Sequence, residues 1–134
     1  MPAILEPITV KLQAPLRILV ADDNEMVGAA VGGLLQSLGH SVNIVSNGRE
    51  AVDSAALIDF DAVFLDIQMP QMGGFEAAHL LRHWHAGGRS PRIIGFSGER
   101  PDRETYAAAG MDDFLLKPVR LADLVQALNY RVAS

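Results

Sequence analysis

"DAVFLDIQMPQMGG", from Asp61 to Gly74, poses the central question about this fold. Its apolar run, Ala62 to Leu65, has the composition of a buried strand, and the run ends directly in a carboxylate, Asp66. A charged group beside a core strand loses hydration, so such groups are usually paired, bound to a metal or functional. The rest of the fold must therefore supply neighbours that compensate the charge of Asp66.

The pattern of an apolar run followed by a helix recurs five times along the chain. The runs are apolar throughout rather than alternating, which is typical of a parallel sheet covered by helices on both faces. Right-handed crossovers then favour an α/β, flavodoxin-like (βα)5 doubly wound sheet with strand order 2-1-3-4-5. The predicted strands are 16–21, 41–45, 62–65, 92–96 and 114–116, and the predicted helices are 25–38, 49–57, 75–84, 102–109 and 121–132.

Size and composition exclude several classes of protein. A chain of 134 residues with 49% hydrophobic and 20% charged residues fits one soluble domain. A net charge of −5 without a basic cluster argues against nucleic-acid binding. The absence of cysteine excludes disulfides, and no apolar stretch is long enough to insert into a membrane, so a cytoplasmic location is the default. Residues 1–15 are interpreted as an N-terminal extension or linker, with an edge strand as the alternative, and residues 16–132 as the domain.

Charged and polar residues follow four of the five predicted strands. In sheets of this class, ligands bind beyond the carboxyl ends of the strands, where the strand order reverses between strands 1 and 3. We therefore expect these side chains to lie within a few ångströms of one another. They are Asp22 and Asp23 after strand 1, Asp66 after strand 3, Ser97 after strand 4 and Lys117 after strand 5.

These residue types predict a metal-assisted reaction of a phosphoryl group. Three clustered carboxylates repel one another unless a cation lies among them, and oxygen ligands with open positions suit Mg²⁺. Lys117 can pair with a phosphate oxygen, and the Ser97 hydroxyl can donate a hydrogen bond to another. Asp66, between these two groups, is the predicted nucleophile. Each residue alone would be interpreted as a helix cap, a turn residue or a surface lysine, but their joint placement favours a site.

Four motifs resemble those of the receiver domain of two-component response regulators, over Leu16 to Arg131. They are "ILVADDNE", "FLDIQMPQMGG", "GFSG" and "GMDDFLLKPV", and the last is similar to receivers of hybrid histidine kinases. The resemblance implies a phosphorelay protein in which Asp66 becomes 4-aspartylphosphate. The donor would be a phosphohistidine of a histidine kinase or histidine phosphotransfer protein. Mg²⁺, with Mn²⁺ as a substitute, would be bound by Asp23, Asp66 and the main-chain carbonyl of Gln68, and by Asp22 through water.

The same resemblance implies how the signal would spread. Lys117, before a cis peptide to Pro118, would pair with the phosphoryl oxygen. Ser97 would move toward the phosphoryl group and Phe114 would turn inward, changing the surface formed by helix 4, strand 5 and helix 5. That surface is the expected contact for a partner or for a homodimer. Gly73-Gly74 departs from the family's frequent Asp-Gly and is expected to give the loop after Asp66 extra freedom.

Such a switch would not be a turnover enzyme on an external substrate, but would catalyse its own phosphorylation and dephosphorylation. Two other classes of protein are the alternatives. A phosphatase of the haloacid-dehalogenase type would place its nucleophile after strand 1 in an Asp-x-Asp pattern, whereas Asp22 and Asp23 are adjacent. A flavodoxin-type binding module would have a Ser/Thr/Gly-rich phosphate loop there instead. The end of the chain after helix 5 favours a stand-alone domain, and an excised fragment of a hybrid kinase is the alternative.

The histidines are not predicted to act in a phosphorelay. In "HWHAGG", His83 and His85 are two residues apart and point to different faces of a helix, so a helix end before a glycine-rich loop is the favoured interpretation. Neither His79 nor His40 has neighbours in the sequence that would mark a phosphorylated histidine.

Overall fold

The structure, a computed structural model, describes residues 15–86 and 88–132 as five alternating strands and helices. The strands are β1 (Arg17–Ala21), β2 (Ser41–Val45), β3 (Ala62–Asp66), β4 (Arg92–Ser97) and β5 (Asp113–Leu116). The helices are α1 (Glu25–Ser37), α2 (Gly48–Leu57), α3 (Gly74–His83), α4 (Arg103–Ala108) and α5 (Leu121–Val132).

All strand pairs are parallel, and the strand order is β2-β1-β3-β4-β5, which confirms the predicted fold class. The register aligns the carboxyl ends of the strands. Ala21 pairs with Leu65, Asp66 pairs with Phe96, and Ser97 pairs with Leu116. The residues that follow β1, β3, β4 and β5 therefore meet at one edge of the sheet.

The sheet buries apolar side chains on both faces. Leu19, Val63 and Ile93 belong to a cluster with α2, α3 and α4, whereas Val20 and Phe64 belong to a cluster with α1 and α5. Successive side chains of a strand point to opposite faces, so a strand covered on both sides must be apolar at every position. That requirement explains the uninterrupted apolar runs of β1, β3 and β4.

The expectation that every strand is covered on both faces is wrong for β2. Ser41, Asn43 and Ile44 are exposed, because β2 is an edge strand with only β1 beside it. The element ends also shift by a residue, since Asp66 and Ser97 are the last residues of β3 and β4 rather than the first loop residues. The predicted extension at residues 1–15 lies, except for Pro15, outside the described residues.

The ends of α1 follow the capping residues in the sequence. Asn24 is the N-cap, and its side chain accepts hydrogen bonds from the amides of Met26 and Val27. Gly39, just past the helix, has a φ of +97°, a conformation that side chains disfavour. The helix starts at the predicted residue and ends one residue before the predicted end.

His40 has a structural role in which it is neutral. Its Nδ1 accepts a hydrogen bond from the amide of Leu16 at 3.0 Å. Burial lowers the pKa of His40, and the negative charge of Asp61 opposes that effect. A neutral ring is the form that can accept this bond, so His40 fixes the entry of the chain into β1.

Within residues 15–86 and 88–132, no helix combines the length and the apolarity needed to cross a bilayer.

Two glycines provide a matched test of the packing between β4 and β5. A Cβ on Gly95 would lie 2.8 Å from two ring carbons of Phe114 and would also press on Met111. Gly95→Ala should therefore lower the free energy of unfolding by about 1–3 kcal/mol. Gly33, exposed within α1, has nothing within 4 Å of an added Cβ, so Gly33→Ala should raise it by about 0.5–1 kcal/mol. Urea unfolding measures both, and a neutral Gly95→Ala would contradict the packing described.

Candidate functional site

Asp22 and Asp23 lie where β1 passes into α1. The amide of Asp22 donates to the carbonyl of Val45 at 3.1 Å, which ties the end of β1 to the end of β2. One carboxylate oxygen of Asp22, Oδ1, accepts a hydrogen bond from the amide of Asn24 at 2.8 Å. Asp22 is buried and Asp23 is exposed, so the pair offers one carboxylate from inside the fold and one from the surface.

Asp66 closes β3 and is only 4% exposed. Its Oδ1 accepts a long hydrogen bond, 3.4 Å, from the amide of Gln68. The loop that follows returns close to the strand, because the amide of Gly74 donates to the carbonyl of Ile67 at 3.1 Å. A Cβ on Gly74 would lie 2.5 Å from the main-chain carbonyl oxygen of Asp66. Glycine at this position therefore lets the start of α3 approach the nucleophile candidate.

Lys117 links the acids to each other. Its Nζ lies 3.1 Å from Asp22 Oδ2 and 3.5 Å from Asp66 Oδ1, and it stands 5.3 Å from the centre of the Phe96 ring. The amide of Lys117 donates to the carbonyl of Ser97 at 2.8 Å, so the end of β4 fixes the main chain of Lys117. The Lys117–Pro118 peptide bond is cis. The ammonium thus reaches both buried carboxylates from across the sheet.

The electrostatics of the site favour an additional positive charge. Burial raises the pKa of Asp66, the Asp22 carboxylate raises it further, and Lys117 opposes both effects without cancelling them. One ammonium is therefore too little to balance the acids that converge here.

The donor set fits a hard divalent cation. Asp22, Asp23 and Asp66 each offer a carboxylate oxygen, and these oxygens lie within 4.8 Å of one another. Oδ2 of Asp22 is buried and, among the described residues, has no hydrogen-bond partner, although it forms the ion pair with Lys117. An oxygen of this kind, aimed into a group of carboxylates, is suited to a metal or to a water that the metal holds.

The other residues predicted for the site, Gln68, Ser97 and Phe114, differ in burial and in their contacts. Gln68 is exposed in the loop after Asp66. Ser97 is buried, and its hydroxyl makes no hydrogen bond within the part of the chain that the structure describes. Phe114 is fully buried and lies inward, with its ring centre 5.6 Å from that of Tyr106. The structure therefore joins the acids and Lys117 directly, whereas it places Ser97 and Phe114 on the adjacent strands.

Sequence reasoning missed two contributors. The sequence predicts Phe96 only as the last residue of a strand, yet its ring also faces the ammonium of Lys117. Gly74 was interpreted as loop freedom, whereas the structure gives it a steric role beside the Asp66 carbonyl. The signal for Phe96 was its place next to Ser97 at the end of β4, and no periodicity separates that role from ordinary core packing.

Comparison with known proteins places these features in one group. The profile of the response regulator receiver domain matches residues 18–129. The histidine-protein kinase BarA of Escherichia coli is 31% identical over 134 residues, with 97% of this chain and 14% of that protein covered. The hybrid histidine kinase I of Dictyostelium discoideum is also 31% identical, over 90% of this chain and 7% of that protein. The chain thus spans a small fraction of these curated relatives.

Solved structures show the same likeness. The receiver domain of sensor histidine kinase PA1611 from Pseudomonas aeruginosa, crystallised with a magnesium ion in its active-site cleft, is 33% identical with a TM-score of 0.79. The alignment covers 90% of this chain and 100% of that one. The Saccharomyces cerevisiae complex of the phosphotransfer protein Ypd1 with the Ssk1 receiver gives 25% identity and a TM-score of 0.81, over 89% of this chain and 90% of that one.

A divalent cation should stabilise the fold through the acidic cluster. At ten times its Kd, Mg²⁺ should raise the free energy of unfolding by about 1.4 kcal/mol, because it binds the folded state and relieves carboxylate repulsion. Asp23→Asn should remove most of this response, because it deletes one of the three clustered carboxylates. Asp23 is exposed, so the substitution buries no new group. Thermal unfolding with Mg²⁺ or with a chelator measures the effect. The exposed Asp53, on α2, provides the control Asp53→Asn, and an unchanged Mg²⁺ response in Asp23→Asn would count against the cluster.

Proposed function

The chain belongs to the response regulator receiver domain family, and from that premise we propose that it is a phosphoacceptor switch of two-component signalling. The observation that supports this most is the contact of one ammonium, Lys117, with two buried carboxylates, Asp22 and Asp66, at the carboxyl edge of the sheet. Asp66 is the proposed acceptor, and the donor is a phosphohistidine of a histidine kinase or phosphotransfer protein. The Ypd1 complex with a receiver of the same fold supports a donor of that class.

The transfer consists of one bond formed and one broken. A carboxylate oxygen of Asp66 bonds to phosphorus as the phosphorus–nitrogen bond to the donor imidazole breaks, and the imidazole leaves with the electron pair and takes up a proton. Oδ1 already faces Lys117 and the Gln68 amide, whereas Oδ2 has no partner among the described residues. Oδ2 is therefore the proposed attacking atom. Positioning and charge balance supply most of the catalysis in such transfers.

Charge compensation falls to the lysine and to a bound cation. We assign Mg²⁺ to Asp23, Asp66 and the main-chain carbonyl of Gln68, with Asp22 acting through water and Mn²⁺ as a substitute. When bound, the cation would neutralise charge on the phosphoryl oxygens. Lys117 lies close enough to Asp66 to shift from carboxylate to phosphoryl oxygen by small rotations of its side chain. Its present bond to Asp22 keeps it inside the site until the phosphoryl group arrives.

The switch itself is assigned to Ser97 and Phe114. The Ser97 hydroxyl would rotate to donate to a phosphoryl oxygen, and the main-chain bond from Lys117 to Ser97 would carry that shift into β5. Phe114 already lies inward against Tyr106 and Gly95, so the phosphoryl group would act by stabilising this position rather than by creating it. The tyrosine hydroxyl that could bond outward is absent from phenylalanine, which favours burial.

The output surface is proposed to be formed by α4, β5 and α5. Leu116 and Leu121 are 44% and 41% exposed there. A cavity of about 350 Å³ on the same surface is lined by residues of all three elements, among them Arg103 of α4, Leu115 of β5 and Asp123 of α5. Exposed apolar side chains together with charged groups suit a protein partner or a second copy of the chain. Nucleic acid fits the acidic composition poorly.

The family assignment and the geometry of the site both disfavour the two alternative functions. A haloacid-dehalogenase-like phosphatase would attack from the β1 acids, and Asp22 has one oxygen bonded to the Asn24 amide and the other paired with Lys117. A flavodoxin-type module would need a phosphate loop in place of these acids. In the proposed function, the chain does not turn over an external substrate. Its chemistry is the phosphorylation and dephosphorylation of Asp66.

Labelling with a small acyl phosphate tests the assignment of Asp66. With Mg²⁺, the wild-type chain should gain the mass of one phosphoryl group in an intact-mass measurement. Asp66→Asn should abolish this gain, because an amide oxygen cannot form the acyl phosphate.

Two control variants sharpen the result. Asp59→Asn makes the same chemical change at an exposed position before β3 and should label like the wild type. Asp22→Asn should slow labelling without abolishing it. Labelling that survives in Asp66→Asn and disappears in Asp22→Asn would sink the receiver mechanism in favour of the phosphatase chemistry.

A further inference from the structure

A pair of histidines on α3 stands outside the phosphorylation site. His79 and His83 are both exposed, and their ring centres are 5.2 Å apart with the planes tilted by 44°. Residues four apart lie on the same face of a helix, one turn above the other. His85 lies beyond the end of α3, so the pair that the fold brings together is His79 with His83 rather than the two histidines that flank Trp84.

Both rings are available for a ligand. Within the described residues, neither His79 nor His83 has a hydrogen bond or an ion pair, and only their contact with each other is found. The nearest strong positive charge in sequence, Arg82, is directed elsewhere. Its guanidinium donates to Gly110, Ser90 and Asp112, each at 2.7 Å. The Arg82 guanidinium is therefore held by groups outside the histidine pair.

We propose that His79 and His83 form a two-histidine chelate for a borderline divalent cation of the Zn²⁺, Ni²⁺ and Cu²⁺ class. Imidazole suits these ions, and two histidines one helical turn apart can bind one ion from a single helix face. Among the described residues, the acidic cluster is the only group of three close ligands, so this second site has two protein ligands. Water or a ligand from another molecule would fill the remaining positions.

The position of His83 on the helix also favours the binding of a cation. His83 is the last residue of α3, where the helix dipole and the unpaired carbonyls favour positive charge. Binding would join the last two turns of α3, whose first residue, Gly74, packs against Asp66. The site differs in ligand type from the carboxylate cluster, since hard Mg²⁺ prefers oxygen and the borderline ions prefer imidazole. The two sites can therefore be filled independently.

The chain carries its own probe for this site. Trp84, the single tryptophan, follows His83 directly and is 60% exposed. Paramagnetic Ni²⁺ held at the histidine pair should quench its fluorescence. The titration uses the full chain without an affinity tag, in excess Mg²⁺ so that the carboxylate cluster is occupied. The wild type should show saturable quenching that a chelator reverses.

Three substitutions by glutamine decide between this site and other histidines. His79→Gln and His83→Gln should each weaken Ni²⁺ binding on the order of tenfold, because the second ligand no longer binds intramolecularly. His85→Gln, in the same segment, should titrate like the wild type. All three positions are at least partly exposed, and circular dichroism verifies folding. Wild-type binding by His79→Gln, or loss of binding in His85→Gln, would overturn the proposal, whatever the outcome of phosphoryl labelling.

Discussion

The shared lysine is the interaction on which the site depends. Lys117 Nζ lies 3.1 Å from Asp22 Oδ2 and 3.5 Å from Asp66 Oδ1, in a setting where both acids are buried. Two buried carboxylates this close to each other would repel strongly without it. The three residues come from the ends of β1, β3 and β5, so the strand order of the sheet brings the three charges together. The geometry of the site therefore depends directly on the topology of the sheet.

Much of this arrangement follows from the sequence for a physical reason. Apolar runs without alternation indicate a sheet covered on both faces, and in a chain that alternates strands with helices they favour parallel pairing. Asp66 and Lys117 could be placed at one edge because they directly follow such runs. The exposure of β2 does have a signal in the sequence, since Ser41 and Asn43 interrupt its apolar run, whereas β3 is apolar from Ala62 to Leu65.

The details that resisted prediction depend on close packing rather than pattern. The approach of Gly74 to the Asp66 carbonyl and the ring of Phe96 under Lys117 arise where loop and strand meet at a few ångströms. The inward position of Phe114 depends on the space over Gly95 and on Tyr106, which lie far away in sequence. For the histidines, His83 and His85 are the closer pair in sequence, but His85 lies beyond the end of α3. Helix periodicity, once α3 is known, selects the correct pair.

A crystal structure with Mg²⁺ and beryllium fluoride, which mimics a phosphoryl group on a carboxylate, tests the central claim most directly. The account predicts beryllium on Asp66, a fluoride within hydrogen-bond distance of Lys117 Nζ, and the metal bound by Asp23 and Asp66. Beryllium bound at Asp22, or Lys117 still paired with Asp22 and distant from every fluoride, would contradict it.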